Sequence, residues 1–138
     1  MSRNADAGLE TLFAAAKAAR ERAYAPYSRF LVGAAIRAPS GALYSGCNVE
    51  NAAYPQGSCA EAGAIAAMAL AGGRRIVEIV IVGDGEDLCT PCGGCRQRIR
   101  EFADAVTRVH VAGLEGVRAS FTLDELLPHS FGPGHIKR

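Results

Sequence analysis

The chain is organised around two short segments, Ser58-Cys59-Ala60-Glu61 and Pro91-Cys92-Gly93-Gly94-Cys95. Each segment is typical of the first turn of a helix, where the positive end of the helix dipole favours a thiolate. Together they offer three sulfur atoms and one carboxylate. A hydrolytic zinc site needs three protein ligands, an open coordination position for water and a nearby proton carrier. The two segments therefore predict a catalytic zinc site.

The expected zinc ligands are Cys59, Cys92 and Cys95. A Cys-x-x-Cys pair alone is also typical of a redox site or of a purely structural zinc site. The even spacing of Cys89, Cys92 and Cys95 is similar to an iron–sulfur motif, but the fourth Cys of that motif and the Pro that follows it are missing. We therefore interpret Cys89 and Cys47 as ordinary half-buried thiols.

Glu61 is the expected proton carrier, because it lies two residues from a predicted ligand at the same helix start. Ser58 and Glu61 also match a capping box, in which the Glu only holds the start of the helix. A capping Glu needs no metal ligand beside it, and this favours the catalytic role. The same carboxylate argues against a structural zinc module, which normally fills its fourth position with protein.

The composition is typical of one globular domain over residues 1–138, with 49% hydrophobic residues and a net charge of +1. No basic patch indicates a nucleic-acid partner, which disfavours an enzyme that edits polynucleotides. No apolar run reaches the length of about 18 residues that a membrane span needs, so we expect no membrane partner. The first residues lack the apolar stretch of a signal peptide. We therefore expect a cytoplasmic protein whose five cysteines stay reduced.

The hydrophobic pattern predicts an α/β fold with the element order α-β-β-α-β-α-β-β-α. Helices are predicted at 8–23, 58–71, 90–102 and 123–127, and strands at 29–36, 42–48, 76–82, 107–112 and 117–122. The third helix should have Pro91 at its first position. This order favours a three-layer α/β/α arrangement around a mixed five-stranded sheet, in which the strands at 76–82 and 107–112 are parallel. Residues 48–57 are predicted to be a loop, and 128–138 an irregular tail.

Five motifs resemble those of the small homotetrameric cytidine deaminases, and the likeness runs from about Tyr24 to Phe131. They are Tyr27-Ser28-x-Phe30-x-Val32-Gly33-Ala34-Ala35, Gly46-Cys47-Asn48-Val49-Glu50-Asn51-Ala52-x-Tyr54-Pro55, Cys59-Ala60-Glu61, Pro91-Cys92-Gly93-x-Cys95-Arg96-Gln97 and Glu125-Leu126-Leu127-Pro128. The resemblance implies a cytidine deaminase-like fold. It also implies a zinc-dependent hydrolase that converts cytidine and deoxycytidine to uridine and deoxyuridine plus ammonia, in pyrimidine salvage.

The resemblance also implies roles for residues outside the zinc site. Asn48 and Glu50 would hydrogen-bond the ribose, and Phe30 would pack on the pyrimidine. Phe131 would cover the active site of a neighbouring subunit, so that the sites of the homotetramer are shared. Tyr54 and the backbone N–H of Ala60 complete the expected substrate site. The alternatives are that Phe30 is core, that Tyr54 packs under the loop, and that Phe131 belongs to a disordered tail.

One position departs from the resemblance: the family often has Arg directly after Cys-Ala-Glu, and here Ala62 follows. Three thiolates around Zn²⁺ leave about one net negative charge. We expect the two helix N-termini, together with Arg96, to balance it. Blasticidin-S deaminases also lack that Arg, so a deaminase of a nucleoside antibiotic is the alternative. The segments around Phe30 and Asn48-x-Glu50-Asn51 favour a nucleoside enzyme.

Overall fold

The computed structural model describes residues 3–136, with side chains from residue 7 onward. Four helices and five strands follow one another in the predicted order. The helices are α1 (Arg3–Arg20), α2 (Ala60–Leu70), α3 (Gly93–Glu101) and α4 (Leu123–Leu126). The strands are β1 (Gly33–Arg37), β2 (Leu43–Cys47), β3 (Glu78–Val82), β4 (Arg108–Gly113) and β5 (Gly116–Thr122).

The strands form one mixed five-stranded sheet in the order β2-β1-β3-β4-β5, as predicted. Strand β1 is antiparallel to both β2 and β3, and β5 is antiparallel to β4. Strands β3 and β4 are parallel, because α3 lies between them in the chain and carries it back to the same end of the sheet.

Successive residues of β3 point to opposite faces of the sheet, so each face has its own hydrophobic cluster. On one face, Leu12 and Ala16 of α1 pack with Val80 and Val82. On the other face, Ile79 and Ile81 belong to the cluster that includes residues from α2, α3 and α4: Ala60, Ala64, Met68, Ile99 and Leu123. These two clusters confirm the three-layer α/β/α prediction.

Helix α2 lies unusually close to the sheet because a glycine faces it. A Cβ atom on Gly46 of β2 would lie 2.3 Å from the backbone nitrogen of Ala64 and 2.7 Å from the carbonyl oxygen of Ala60. Only a residue without a side chain fits at this distance. The backbone at the start of α2 therefore packs directly against the backbone of β2.

Two strand predictions extended too far toward the N-terminus. Residues 29–32 are not part of β1, because the Asn48 side chain hydrogen-bonds to their backbone. The Val32 N–H donates to Asn48 Oδ1 at 2.9 Å, and Asn48 Nδ2 donates to the Phe30 carbonyl at 2.8 Å. Arg29 has a φ of 60°, outside the range of a strand. Ile76 also precedes its strand, since its N–H donates to the carbonyl of Phe102 at the end of α3.

The helix starts also differ from the predictions. Helix α1 covers Arg3–Arg20, where 8–23 was predicted; the chain turns after Arg20, and the Arg22 and Ala23 N–H groups bond the carbonyls three residues before them. Ser58 is not helical, because it pairs with Val49 in an antiparallel bridge.

Pro91 is not the first residue of α3, since Cys92 is the N-cap and the helix begins at Gly93. The tail is not wholly irregular, because Pro133–His135 form a 3-10 turn; Lys137 and Arg138, also predicted irregular, lie outside the described residues. Within the described part of the chain, no helix has the length and apolar character needed to cross a membrane.

Candidate active site

Two helix starts bring three sulfur atoms together. Cys59 is the N-cap of α2 and Cys92 the N-cap of α3, both with extended backbone and no side-chain capping hydrogen bond. Cys95 lies in the first turn of α3 and is buried. The three Sγ atoms all lie within 4.8 Å of one another. The thiols at the helix starts are therefore turned toward one point between the two helices.

The donor set fits a zinc ion. Sulfurs bound at about 2.3 Å in tetrahedral geometry are roughly 3.8 Å apart, which is compatible with the observed grouping. Among the described residues, this is the one group of three or more Cys, His, Asp or Glu ligand atoms close enough to hold a metal ion, and it contains no fourth ligand. An ion held there by these three sulfurs keeps one coordination position for a non-protein group.

Glu61 lies beside the sulfurs at the second position of α2, with 5% of its surface exposed. Burial raises the pKa of Glu61, and a hydrogen bond from its own backbone N–H and the charge of Arg98 offset this only in part. The capping-box alternative is wrong, because Cys59, not Ser58, is the N-cap of α2 and makes no side-chain capping bond. Glu61 is thus a buried carboxylate with a raised pKa next to the metal donors, as general acid–base chemistry requires.

The three thiols differ in acidity in the metal-free chain. Backbone N–H groups at the start of α3, that of Cys95 first, lower the pKa of Cys92 despite some burial. Burial raises the pKa of Cys59 and of Cys95, and the negative charge of Glu61 adds to the increase for both. The expected effect of the helix dipole therefore prevails only at Cys92. Because a metal binds thiolates, its binding releases the protons of the cysteines that are still protonated.

The expectation that Arg96 balances the charge of the sulfurs is wrong. Its guanidinium donates to the carbonyls of Pro91 at 2.7 Å and Leu126 at 2.8 Å, so it holds the Cys92 loop against the end of α4. Arg98, which was not among the predicted site residues, donates instead to Cys95 Sγ at 3.6 Å. The signal that was available is its spacing, because residues three apart share one face of a helix.

Cys47 and Cys89 are half-buried and do not belong to the sulfur group, as predicted. Cys89 packs at the end of β3, where a Cβ on Gly83 would lie 2.7 Å from its Sγ and 3.4 Å from the Phe30 ring. Since the described residues do not bring Cys89 to Cys92 and Cys95, the iron–sulfur alternative has no support in this structure.

The two predicted ribose ligands have structural partners of their own. Glu50 Oε1 accepts from the N–H groups of Tyr27 at 3.0 Å and Ser28 at 3.1 Å, and the Ser28 hydroxyl donates to Oε2. The bonds from Ser28, first among these, lower the pKa of Glu50. Asn48 binds the backbone of Phe30 and Val32. Both side chains therefore shape the segment at 27–32.

In the described part of the chain, three of the predicted substrate residues line two different cavities. Glu50 and Tyr54 line a cavity of about 380 Å³. Phe30, 40% exposed and therefore not core, lines another cavity of about 310 Å³ with residues 84–89. Tyr54 is 76% exposed with its ring edge-on to Tyr27, which contradicts the alternative that it packs under the loop. Ala60 is buried at the first position of α2.

Phe131 is held on the tail by contacts with α3 and with its own turn. The Gln97 side chain donates to the Phe131 carbonyl at 2.9 Å, and the Phe131 ring stacks on His135 with 4.9 Å between centroids. The ring nevertheless remains 57% exposed. The ring is therefore largely accessible at the surface of the chain.

Known proteins resemble this chain in both sequence and fold. A family model described as the cytidine and deoxycytidylate deaminase zinc-binding region matches residues 7–112. A cytidine deaminase from Sporosarcina psychrophila is 43% identical over 123 residues, which cover 89% of this chain and 90% of that protein. The crystal structure of cytidine deaminase from Burkholderia pseudomallei has a TM-score of 0.83 and 40% identity, covering 95% of this chain and all of that one.

A second crystal structure, of cytidine deaminase from Mycobacterium tuberculosis, has a TM-score of 0.77 and 36% identity over 89% of this chain and 97% of its own. The likeness covers nearly the full length of these proteins and includes both helix starts. The chain therefore belongs to the cytidine and deoxycytidylate deaminase family with its zinc-binding region.

Proposed function

We propose that this protein is a zinc-dependent cytidine deaminase of pyrimidine salvage. It converts cytidine and deoxycytidine to uridine and deoxyuridine and releases ammonia. The observation that carries the proposal is a group of three sulfurs, without a fourth ligand among the described residues, next to a buried carboxylate. Relatives that carry the name cytidine deaminase match the chain over most of its length, which supports the same activity here.

Cys59, Cys92 and Cys95 would hold the zinc ion. Zinc bound there supplies a Lewis acid that lowers the pKa of a water molecule in the site. The Glu61 carboxylate accepts a proton from the attacking water. It delivers this proton to N3 of the pyrimidine as the water oxygen bonds to C4. It then takes the second proton from the new C4 hydroxyl and gives it to the amino group, whose C4–N bond breaks to release ammonia, so Glu61 acts alternately as base and as acid. Its burial excludes bulk water from these transfers.

The substrate would be held by residues around the two cavities. Phe30 packs on the pyrimidine ring, and the Ala60 N–H donates to O2 of the base. Asn48 and Glu50 bind the ribose hydroxyls with the hydrogen-bonding capacity that remains to them, since an amide keeps one N–H and one lone pair, and a carboxylate accepts about four bonds. Tyr54 lies beside Glu50 and completes this side of the site.

We also propose a homotetramer with shared sites, in which the exposed ring of Phe131 covers the site of a neighbouring subunit. The fixed tail supports this, because Gln97 holds the Phe131 backbone while the ring stays exposed. The chain would act as one domain over residues 1–138, in the cytoplasm, where zinc-binding thiols stay reduced. Its partner is a free nucleoside, without nucleic acid or membrane.

Ammonia release from cytidine, deoxycytidine and blasticidin S by the zinc-loaded protein tests the proposal. We expect turnover of cytidine and deoxycytidine, its loss after treatment with a chelator, and its return on addition of zinc. Turnover of blasticidin S alone would identify a nucleoside-antibiotic deaminase instead. No turnover of any substrate by folded, zinc-loaded protein would contradict a deaminase function.

A further inference from the structure

We propose that Arg98 balances the negative charge of the three-thiolate site and so stabilises bound zinc; this rests on the zinc site proposed above. Three thiolates and one Zn²⁺ leave about one net negative charge. Glu61, only 5% exposed, adds another when ionised. Negative charge that is partly removed from water needs a cation or strong donors close by. Ala62, directly after Glu61, has no charge to offer.

The position of Arg98 on α3 directs its guanidinium to the sulfurs. Arg98 follows Cys95 by three residues, so the two side chains share one face of the helix. Its Nη1 donates to Cys95 Sγ at 3.6 Å. A Cβ on Gly94 would lie 3.4 Å from that Nη1 and 3.9 Å from Cys92 Sγ. The guanidinium of Arg98 and the sulfur of Cys92 therefore lie on the same side of Gly94, close to two of the three sulfurs.

The other two arginines of α3 have different partners. Arg96 donates to the carbonyls of Pro91 and Leu126, and Arg100 donates to the Ser130 hydroxyl at 2.8 Å. In the part of the chain that the structure describes, Arg98 is the one cation that hydrogen-bonds a sulfur of the group. We therefore assign the charge balance to Arg98, as a positioning residue that acts through the zinc ligands.

Chelator competition on the zinc-loaded protein, at constant pH and low ionic strength, tests this assignment. Removal of a residue that supports metal ligands typically weakens metal affinity about 10- to 100-fold. We expect a loss of about tenfold for Arg98→Gln, because the side chain is partly solvated. Arg98→Lys keeps the charge and should recover part of the affinity. The matched control is Arg100→Gln, which removes the same charge from the same helix without touching a sulfur and should bind zinc within about twofold of the unsubstituted protein.

Three results would overturn the assignment. One is an Arg98→Gln protein whose zinc affinity equals that of the unsubstituted chain. Another is an equal loss of affinity in Arg100→Gln, which would make the effect a general one of helix charge. The third is an Arg98→Gln protein that, at saturating zinc, has a changed circular dichroism spectrum, which would give Arg98 a structural role. Because zinc affinity is measured without substrate, failure of the cytidine assay would leave this test intact.

Discussion

Glu61 is held at the start of a helix, buried, and beside a group of sulfur atoms that is open to a further ligand. Burial raises the pKa of Glu61, so the carboxyl holds a proton more readily than an exposed glutamate does. A proton carrier that both accepts and returns a proton during one turnover works best when its affinity for the proton is neither very low nor very high. The neighbouring backbone at Cys59 and Ala60 fixes its position, because both residues belong to the start of the same helix.

Glu61→Gln tests the proton carrier at this scale. Gln has nearly the same shape and can hydrogen-bond, but it cannot carry a proton, so we expect a loss of turnover of at least about 100-fold. Zinc content and the circular dichroism spectrum should remain those of the unsubstituted protein. Turnover within about tenfold of the original, in zinc-loaded Glu61→Gln, would exclude Glu61 from proton transfer.

Helix α2 is positioned by its contact with β2 rather than by its own amphipathic pattern. It is rich in alanine, and its close approach depends on Gly46, which faces the backbone of Gly63 and Ala64. Helix α3 is positioned by side chains that bind other segments, such as Arg96 to the end of α4. The relative placement of these two helices decides whether Cys59 meets Cys92 and Cys95.

Gly46→Ala tests this dependence of the site on helix placement. The added Cβ would lie 2.3–2.7 Å from backbone atoms of Ala60, Gly63 and Ala64, so α2 has to move. We expect a loss of stability of about 1–3 kcal/mol, as for overpacking in a core, together with weaker zinc binding. Thermal unfolding of the zinc-loaded protein and chelator competition measure the two effects.

The control for Gly46→Ala is Gly134→Ala, because a Cβ there meets no atom within 4 Å and should change neither quantity. Gly46→Ala with the stability and zinc affinity of the control would show that α2 does not need the glycine contact.

A network of polar side chains crosses four of the five strands on the face covered by α1. Ser120 on β5 bonds His110 Nδ1 at 2.7 Å, and His110 Nε2 bonds Glu78 Oε1 at 2.8 Å. Glu78 also accepts from Arg37 Nε on β1 at 2.9 Å. Burial raises the pKa of Glu78, but the bonds from His110 and Arg37 outweigh it, and the pKa of this carboxyl lies below its usual value of 4.5. The network links four strands through one ionised group.

The lowered pKa of Glu78 makes stability depend on pH in a defined direction. The ionised carboxylate stabilises the fold above pH 4.5, and this contribution is lost as the pH falls through the lower pKa of the folded state. We expect Glu78→Gln to lower the free energy of unfolding by about 1.5–3 kcal/mol at pH 7, the range for hydrogen bonds to charged groups. Its melting temperature should then fall less than that of the unsubstituted protein between pH 6 and about pH 3.

The control for that series is Glu10→Gln, an exposed residue of α1 that should leave the pH dependence unchanged. If the melting temperatures of Glu78→Gln and the unsubstituted protein changed with pH by the same amount, Glu78 would not couple stability to pH.

Element order could be predicted because each element has a local signal, such as the β-branched run of β3 or the alternation of helices and strands that gives a parallel β3–β4 pair. The boundaries of an element could not be predicted where a group from a distant part of the chain binds its backbone. The Asn48 side chain holds Phe30 and Val32 outside β1, and the end of α3 binds Ile76 before β3 begins. Such contacts join residues far apart in the chain, and secondary-structure propensity, which depends on neighbouring residues, cannot predict them.

The sequence by itself determined which cysteines come together. The two motifs at the helix starts have the spacing of metal ligands, and this local pattern is present in any fold that packs α2 against α3. The sequence also determined that Glu61 lies beside them, in the first turn of the helix that Cys59 caps. Only the tertiary structure decided that Arg98, and not Arg96, approaches the sulfurs, and that Asn48 and Glu50 hold the segment at 27–32. The physical reason is competition for partners: a guanidinium, amide or carboxylate binds whichever donors and acceptors the packed chain places within reach, and those come from other elements.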